Sequence, residues 1–310
     1  FLNRPFAKQP IDLVYNGLPT IRVDLRAKLH SRAMLAAYAQ ELLGSDPDVL
    51  MTHVTRPVIS KAMWRDLKVC HELDHLLGKT NQTAVLFILT SAAGVRRPRD
   101  TVHMEKHYGW PRAHRCGYPD LVGPEVDLHT MIESFNTGHR NVQVVLVNQF
   151  GWSRDRIGTR LPNGMNIADL RRATDVEFGM ATYEPFGISP LEPLGCGAIC
   201  VVSDVCGCQA FIEKVTNGQG TPNVIYSNFT TLPRSYTIDE LKKLGRDDRD
   251  AVETGEAARV ADQIMQRLPG NVEQRQQLIE SGQQLVSAMG WDQVVQERLL
   301  PMLVRICQNI

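Results

Sequence analysis

Apolar positions along this chain alternate between two rhythms. Leu25, Leu29, Leu35, Tyr38 and Leu42 recur at helical spacing and stop at Gly44, which predicts a helix over residues 25–43. Residues 49–52, 83–90, 141–147 and 198–203 are instead short, almost unbroken apolar runs, the pattern of strands buried on both faces. Helical patterns over 63–77 and 122–137 separate them. Asn166 is placed to cap a helix through residue 173, ahead of a strand-like approach over 175–182. Further on come a helix over 210–215 and a last strand over 223–227. From Ile238 the pattern is helical, over 251–268, 272–289 and 291–307. This order predicts an α/β fold, a Rossmann-like parallel sheet flanked by helices with a helical C-terminal segment. Ligands of such sheets sit at the carboxyl ends of the strands. Arg56, Asn148 and Glu184 each follow a predicted strand and so converge on one edge.

The stretch ATYEPFGISPLEPLGCGAICVVSD, residues 181–204, carries the most chemistry. Ser189 is placed to cap a short helix over about 190–196, with Pro190 at its first position and Glu192 where a capping box puts a glutamate. Gly197 is placed to end it. Such a strand–loop–helix unit aims free N–H groups at a bound anion, and Gly187 would allow close approach. The run E-P-F-G-I-S-P-L-E, with Glu184 and Glu192 eight positions apart, resembles the E-x7-E signature of retaining GT-B glycosyltransferases. The following G-C-G-A-I-C-V-V-S is similar to that family's small-residue turn and apolar strand.

Upstream, Thr55-Arg56-Pro57-Val58-Ile59-Ser60-Lys61 resembles the family's R-x4-K pair, and its R-P opening is similar to the sucrose-phosphate-synthase branch. Two departures stand out. Ala62 replaces the glycine usual after the lysine, and Val205-Cys206-Gly207-Cys208 replaces a usual glycine pair. The resemblance covers about residues 14–308. It implies the C-terminal, donor-binding half of a glycosyltransferase that moves a hexose from a nucleoside-diphosphate sugar (UDP-, GDP- or ADP-hexose) to an acceptor hydroxyl with retention. Arg56 and Lys61 would stabilise the departing diphosphate and take the place of a metal, so none is expected. Glu184 would position the sugar and Glu192 the ribose. The amides of Phe186, Gly187, Ile188 and Ser189 would cover sugar and phosphate, and Asn148 with the loop to residue 166 would lie beside the base. The implied organisation is a hinge over 1–24 from a missing N-terminal domain, which would supply the acceptor site. A nucleotide-sugar domain over 25–236 and C-terminal helices over 237–310 follow, so the isolated chain is expected to transfer weakly or not at all.

Composition narrows the alternatives. The chain has 310 residues, 43% hydrophobic, and its 34 Lys+Arg balance 34 Asp+Glu. No global field therefore draws it to nucleic acid or a membrane. No signal pattern or apolar run of membrane length is visible, and the seven cysteines lack a framework spacing, which fits reduced thiols in the cytoplasm. Cys206-Gly207-Cys208 reads as a pair of turn thiols, with metal or redox chemistry as the alternative. P-loop and dinucleotide glycine fingerprints are absent. His71-Glu72-Leu73-Asp74-His75 is a literal H-E-x-x-H, which keeps a zinc peptidase as one alternative. It sits on a helix whose apolar stripe, Trp64, Leu67, Cys70, Leu73 and Leu77, points elsewhere. A non-catalytic nucleotide-sugar-binding module is the other. Residues 92–121 interleave Arg96, Arg97, Arg99, Lys106, Arg112 and Arg115 with histidines and aromatics. They read as a solvated basic insertion, with acceptor binding as the competing use. Trp291 reads as core or as the family's entry to its closing helix.

Overall fold

The computed structural model describes residues 12–232 and 234–308, so the first part of the predicted hinge lies outside the described residues. The expected alternation is present. The helix α1 (Leu25–Leu43) precedes β1 (Val49–Val54), α2 (Met63–Lys79), β2 (Ala84–Leu89), α3 (Pro98–Tyr108), α4 (Pro124–Gly138) and β3 (Val142–Val147). The short α5 (Arg154–Ile157), α6 (Ile167–Ala173), β4 (Val176–Gly179), β5 (Ile199–Ser203), α7 (Gly207–Val215) and β6 (Val224–Ser227) follow. The chain then runs through α8 (Ile238–Leu241), α9 (Arg246–Arg267), α10 (Val272–Ala288), α11 (Trp291–Val294) and α12 (Leu300–Gln308).

The six strands form one parallel sheet in the order β3-β2-β1-β4-β5-β6, a doubly wound Rossmann-like arrangement. Both faces are covered, which is why the strands read as continuous apolar runs. Ala84, Leu86 and Ile88 face one core shared with α2, α4 and α9. Val85, Phe87 and Leu89 face the other, with α1, α6, Trp110 and Trp152. A third cluster joins Cys200 and Val202 of β5 to α7 and α10. Asp74 accepts from the backbone N–H groups of Arg140, Asn141 and Val142, at 3.1, 2.7 and 2.8 Å, and so fixes the start of β3 on α2.

Register does the positioning. Val54 pairs with Leu89 and Leu89 with Val147, so three strands end level and release their loops side by side. β4 joins β1 on the other side through Thr52 and Glu177. The strand order reverses there, which opens a crevice.

Three sequence readings need correction. The C-terminal helix predicted over 291–307 is interrupted by a π-helical stretch at Val295–Leu299, and Trp291 is half exposed rather than core. The predicted apolar stripe of α2 misses Val69, which is fully buried, while Trp64 and Leu67 are only partly so. Residues 92–121 are only partly a solvated insertion. Arg96, Met104, Trp110, Asp120 and Leu121 are buried, while Arg97, Arg99, Lys106, Arg112 and Arg115 face solvent.

Candidate functional site

The loop after β1 is fastened at both ends. His53 on β1 and Asp66 on α2 share a fully buried hydrogen bond (Nδ1–Oδ2, 2.5 Å), and Thr182 N–H donates to Ser60 O at 2.8 Å. Between them Ile59–Lys61 makes one 3-10 turn, closed by Ala62 at φ 51° and ψ 40°. This is a left-handed backbone that an L side chain adopts at a cost of about 1 kcal/mol. Ala62 therefore occupies the conformation that a glycine would take freely.

A cleft of about 480 Å³ opens in front of this loop, within the usual size of small-molecule sites. Arg56 and Lys61 line it from the β1 side, and Thr90 and Ser91 from the end of β2. Gln149, Phe150, Gly151 and Trp152 line it from the end of β3. Arg171 of α6 closes it together with Ser189 and Glu192. Four residues singled out in the sequence thus share one wall.

Arg171 was not foreseen, and it organises the floor. It is buried, with Nη1 2.9 Å from Glu177 Oε1 and Nη2 2.5 Å from Glu192 Oε2. Burial pulls the Arg171 pKa down, but the charges of Glu177 and Glu192 more than compensate and raise it, so the guanidinium stays charged. Ser189 Oγ donates to Val54 O at 2.8 Å and anchors this side of the cleft to β1. Arg171 lies in the last turn of a capped seven-residue helix, where a basic residue ordinarily complements the helix end. Nothing local to that helix marks it as part of a site.

The 181–204 stretch departs from its predicted form. In place of one helix there are two 3-10 turns, Ser189–Leu191 and Leu194–Cys196, and neither Ser189 nor Glu192 makes the expected side-chain N-cap. Ser189 spends its hydroxyl on Val54 and Glu192 its carboxylate on Arg171. No helix N-terminus therefore faces the cleft from this segment. Gly197 does end the second turn, at φ 76°.

Glu184 is outside the cleft wall but bound to it through an ion pair with Lys61. Partial burial pushes the Glu184 carboxyl up. The hydrogen bond and charge of Lys61, with the N–H groups of Gly187 and Phe186, outweigh this and hold it below the usual glutamate value. Phe186 and Ile188 turn away from the cleft and line a small recess on the far side, against Phe211 of α7. Gly187, at φ 66°, packs on Cys206, whose Sγ a Cβ at this position would meet at 1.9 Å.

Asn148 is also corrected. It is fully buried and its side chain is saturated: Oδ1 accepts from Trp110 Nε1 at 2.8 Å, and Nδ2 donates to Asp120 at 3.0 Å and Glu125 at 3.2 Å. Its neighbour Gln149 reaches the cleft instead. In contrast, three cleft-lining residues carry buried polar atoms without a hydrogen-bond partner: Thr90 Oγ1, Trp152 Nε1 and Arg171 Nε.

His71 and His75 share an exposed face of α2, as their spacing predicts, but neither lines the cleft. His71 Nδ1 lies 2.7 Å from His139 Nε2. Among the described residues, no group of three or more His, Cys, Asp or Glu stands where it would hold a metal ion. Asp74 of the motif is occupied with the start of β3. The arrangement lends no support to a peptidase. No helix among the described residues is long and apolar enough to cross a membrane.

No family model and no curated protein matches the sequence. Among solved structures, the chain is similar to a sucrose-phosphate synthase from Thermosynechococcus elongatus, at 16% identity and a TM-score of 0.47 over 93% of this chain and 51% of that one. It is similar to an alpha,alpha-trehalose-phosphate synthase (UDP-forming) from Burkholderia vietnamiensis, at 11% and 0.48 over 94% and 52%. The N-terminal domain of a Candida albicans trehalose-6-phosphate phosphatase matches at 12% and 0.49 over 90% and 46%. The chain spans about half the length of the solved structures it matches.

Proposed function

We propose that the cleft binds a nucleoside-diphosphate sugar and that the chain is the donor-binding part of a retaining hexosyltransferase. One observation carries this reading. Arg56, Lys61, Ser189 and Glu192, picked out by motif spacing alone, line a single cleft at the point where the strand order reverses. The carboxyl edge of a doubly wound sheet is where such ligands bind.

In this reading Arg56 clamps the diphosphate as a planar fork and Lys61 as a point charge. Both act most strongly as negative charge builds on the leaving group, which is the form of stabilisation that lowers a barrier. Glu192, oriented by Arg171, accepts from the ribose hydroxyls. Phe150, 69% exposed at the mouth, offers a face to the base. Glu184 supports the sugar once the diphosphate competes for Lys61.

Titration calorimetry with UDP, GDP, ADP and dTDP tests the reading. One nucleotide is expected to bind, and Arg56→Ala combined with Lys61→Ala to abolish that binding. Retained affinity in the double variant would sink the assignment. Donor binding without transfer is the second reading, and it draws on the ion pair that engages Glu184 with Lys61 and on the absence of Glu184 from the cleft lining. It wins if a bound nucleotide sugar is neither hydrolysed nor transferred.

A further inference from the structure

Beneath the loop that carries Glu184, the turn Cys206-Gly207-Cys208 forms a cradle. Gly207 N–H donates to Glu184 O at 2.9 Å, and Glu184 and Cys206 form a parallel bridge. A side chain at Gly207 would meet Pro185 O at 1.9 Å, and one at Gly187 would meet Cys206 Sγ at 1.9 Å. The loop and the thiols are therefore in direct contact, with no slack between them. Cys208 donates to Cys206 across an Sγ–Sγ distance of 3.2 Å. All seven cysteines are free.

We propose that Cys206 and Cys208 form a reversible disulfide on reaction with a hydroperoxide, and that this bond displaces the Glu184 loop. The function of the displacement rests on the donor-site reading above; the chemistry does not. The Cys206 thiolate attacks the terminal peroxide oxygen, giving a sulfenic acid and releasing the alcohol or water, which takes up the thiol proton. Cys208 then attacks the sulfenic sulfur, one S–S bond forms, and water leaves. The two thiols supply two electrons, and these cleave the O–O bond.

Three observations favour this pair over the other thiols. Cys206 precedes the nine-residue helix α7 and Cys208 lies in its first turn, where a thiolate is stabilised. The S–H of Cys208 and its backbone N–H lower the Cys206 pKa against the opposing effect of burial, while the same hydrogen bond and burial push Cys208 well up and burial pushes Cys70 and Cys200 well up. Cys208 and Gly207, but not Cys206, also line the small recess with Pro185, Phe186 and Ile188, so a small oxidant approaches the pair from the Cys208 side, 3.2 Å from the Cys206 sulfur. To bond, the sulfurs must close by roughly 1 Å. Because Gly187 rests on Cys206 Sγ, the segment Glu184-Pro185-Phe186-Gly187 must follow.

The test uses the full chain with Cys116→Ser and Cys307→Ser, which removes the two exposed thiols. Hydrogen peroxide should yield a dithiothreitol-reversible mass loss of about 2 Da, mapped to the peptide holding Cys206 and Cys208. Amide exchange over residues 183–188 should change in the same sample. Titration with UDP-, GDP- and ADP-glucose should show roughly fivefold or greater weakening on oxidation, a modest coupling between sites. Cys206→Ser and Cys208→Ser should each abolish the mass loss, and either one serves if the other fails to fold. Sulfinic acid at Cys206 without a crosslink overturns the proposal, as does a crosslink with unchanged exchange. Crosslink and altered exchange in a protein that binds no nucleotide even when reduced would uphold the thiol switch and remove the donor-site reading.

Discussion

Two buried arginines at the same sheet edge behave in opposite ways. Arg96 is fully buried and every one of its N–H donors is engaged. Nε donates to Pro119 O, Nη1 to Ser91 Oγ and Asn148 O, and Nη2 to Asp120 O and Glu125 Oε2. Arg171, nearly as buried, leaves Nε without a partner, and one end of its fork holds a half-exposed glutamate at the cleft. A guanidinium has five donors. Where the protein itself satisfies all five, the residue is a strut. Where one donor stays unpaired and an arm of the fork reaches a carboxylate at the cleft, as in Arg171, the residue is both a strut and part of the cleft wall. Saturation, rather than burial or charge, is what distinguishes these two arginines.

The largest effect should come from the strut. Arg96→Met leaves Glu125 buried without its cation and three carbonyls without donors, and should cost about 3–5 kcal/mol in urea unfolding. A cost under about 1 kcal/mol would break the comparison, because a saturated buried arginine would then be dispensable.

Lys28 provides a third buried cation outside the cleft, and among the described residues its ammonium donates only to Thr174 O, at 2.6 Å. Burial lowers its pKa from 10.5 to about 8, against the attraction of Asp175. The unfolded chain therefore holds a proton that the folded chain has released between these values, so stability should rise with pH from about 8 to 10.5. The gain relative to Lys28→Met should be on the order of 3 kcal/mol. A pH-independent difference between the two proteins would show that burial without saturation is harmless here.

Within the cleft the pattern should invert. Arg56→Ala with Lys61→Ala should change stability by less than about 1 kcal/mol, since Arg56 is exposed and Lys61 only half-buried. Nucleotide affinity in calorimetry should fall on the order of a hundredfold, the worth of two charge-assisted hydrogen bonds. The smallest and sharpest change is Arg171→Lys. It keeps a charge beside buried Glu177 but loses the fork that also reaches Glu192. About a tenfold loss of nucleotide affinity with near-normal stability is expected, roughly one charge-assisted hydrogen bond. Equal losses of stability and affinity would make Arg171 a strut like Arg96.

Much of this could be read without coordinates. The helix stop at Gly44, the cap at Asn166 and the doubly covered strands are all local, because they depend on neighbours within a few residues. Motif spacing singled out Arg56, Lys61, Ser189 and Glu192, which line one cleft. Glu192 was nonetheless assigned a cap as well, because a capping box and an ion pair with Arg171, 21 residues earlier, look identical along the chain. Asn148 failed for a similar reason. Its partner Trp110 lies 38 residues upstream, in a segment whose surface charges concealed its buried members.

The alternation of apolar runs and helical stripes determined by itself that this chain forms a parallel sheet covered on both faces, because short-range periodicity decides which face of each element avoids water. The strand order, the level ends of β1, β2 and β3, and the choice of which polar groups are satisfied were settled only in three dimensions. Those outcomes depend on contacts between residues far apart in the chain, where a donor finds its acceptor or is left without one.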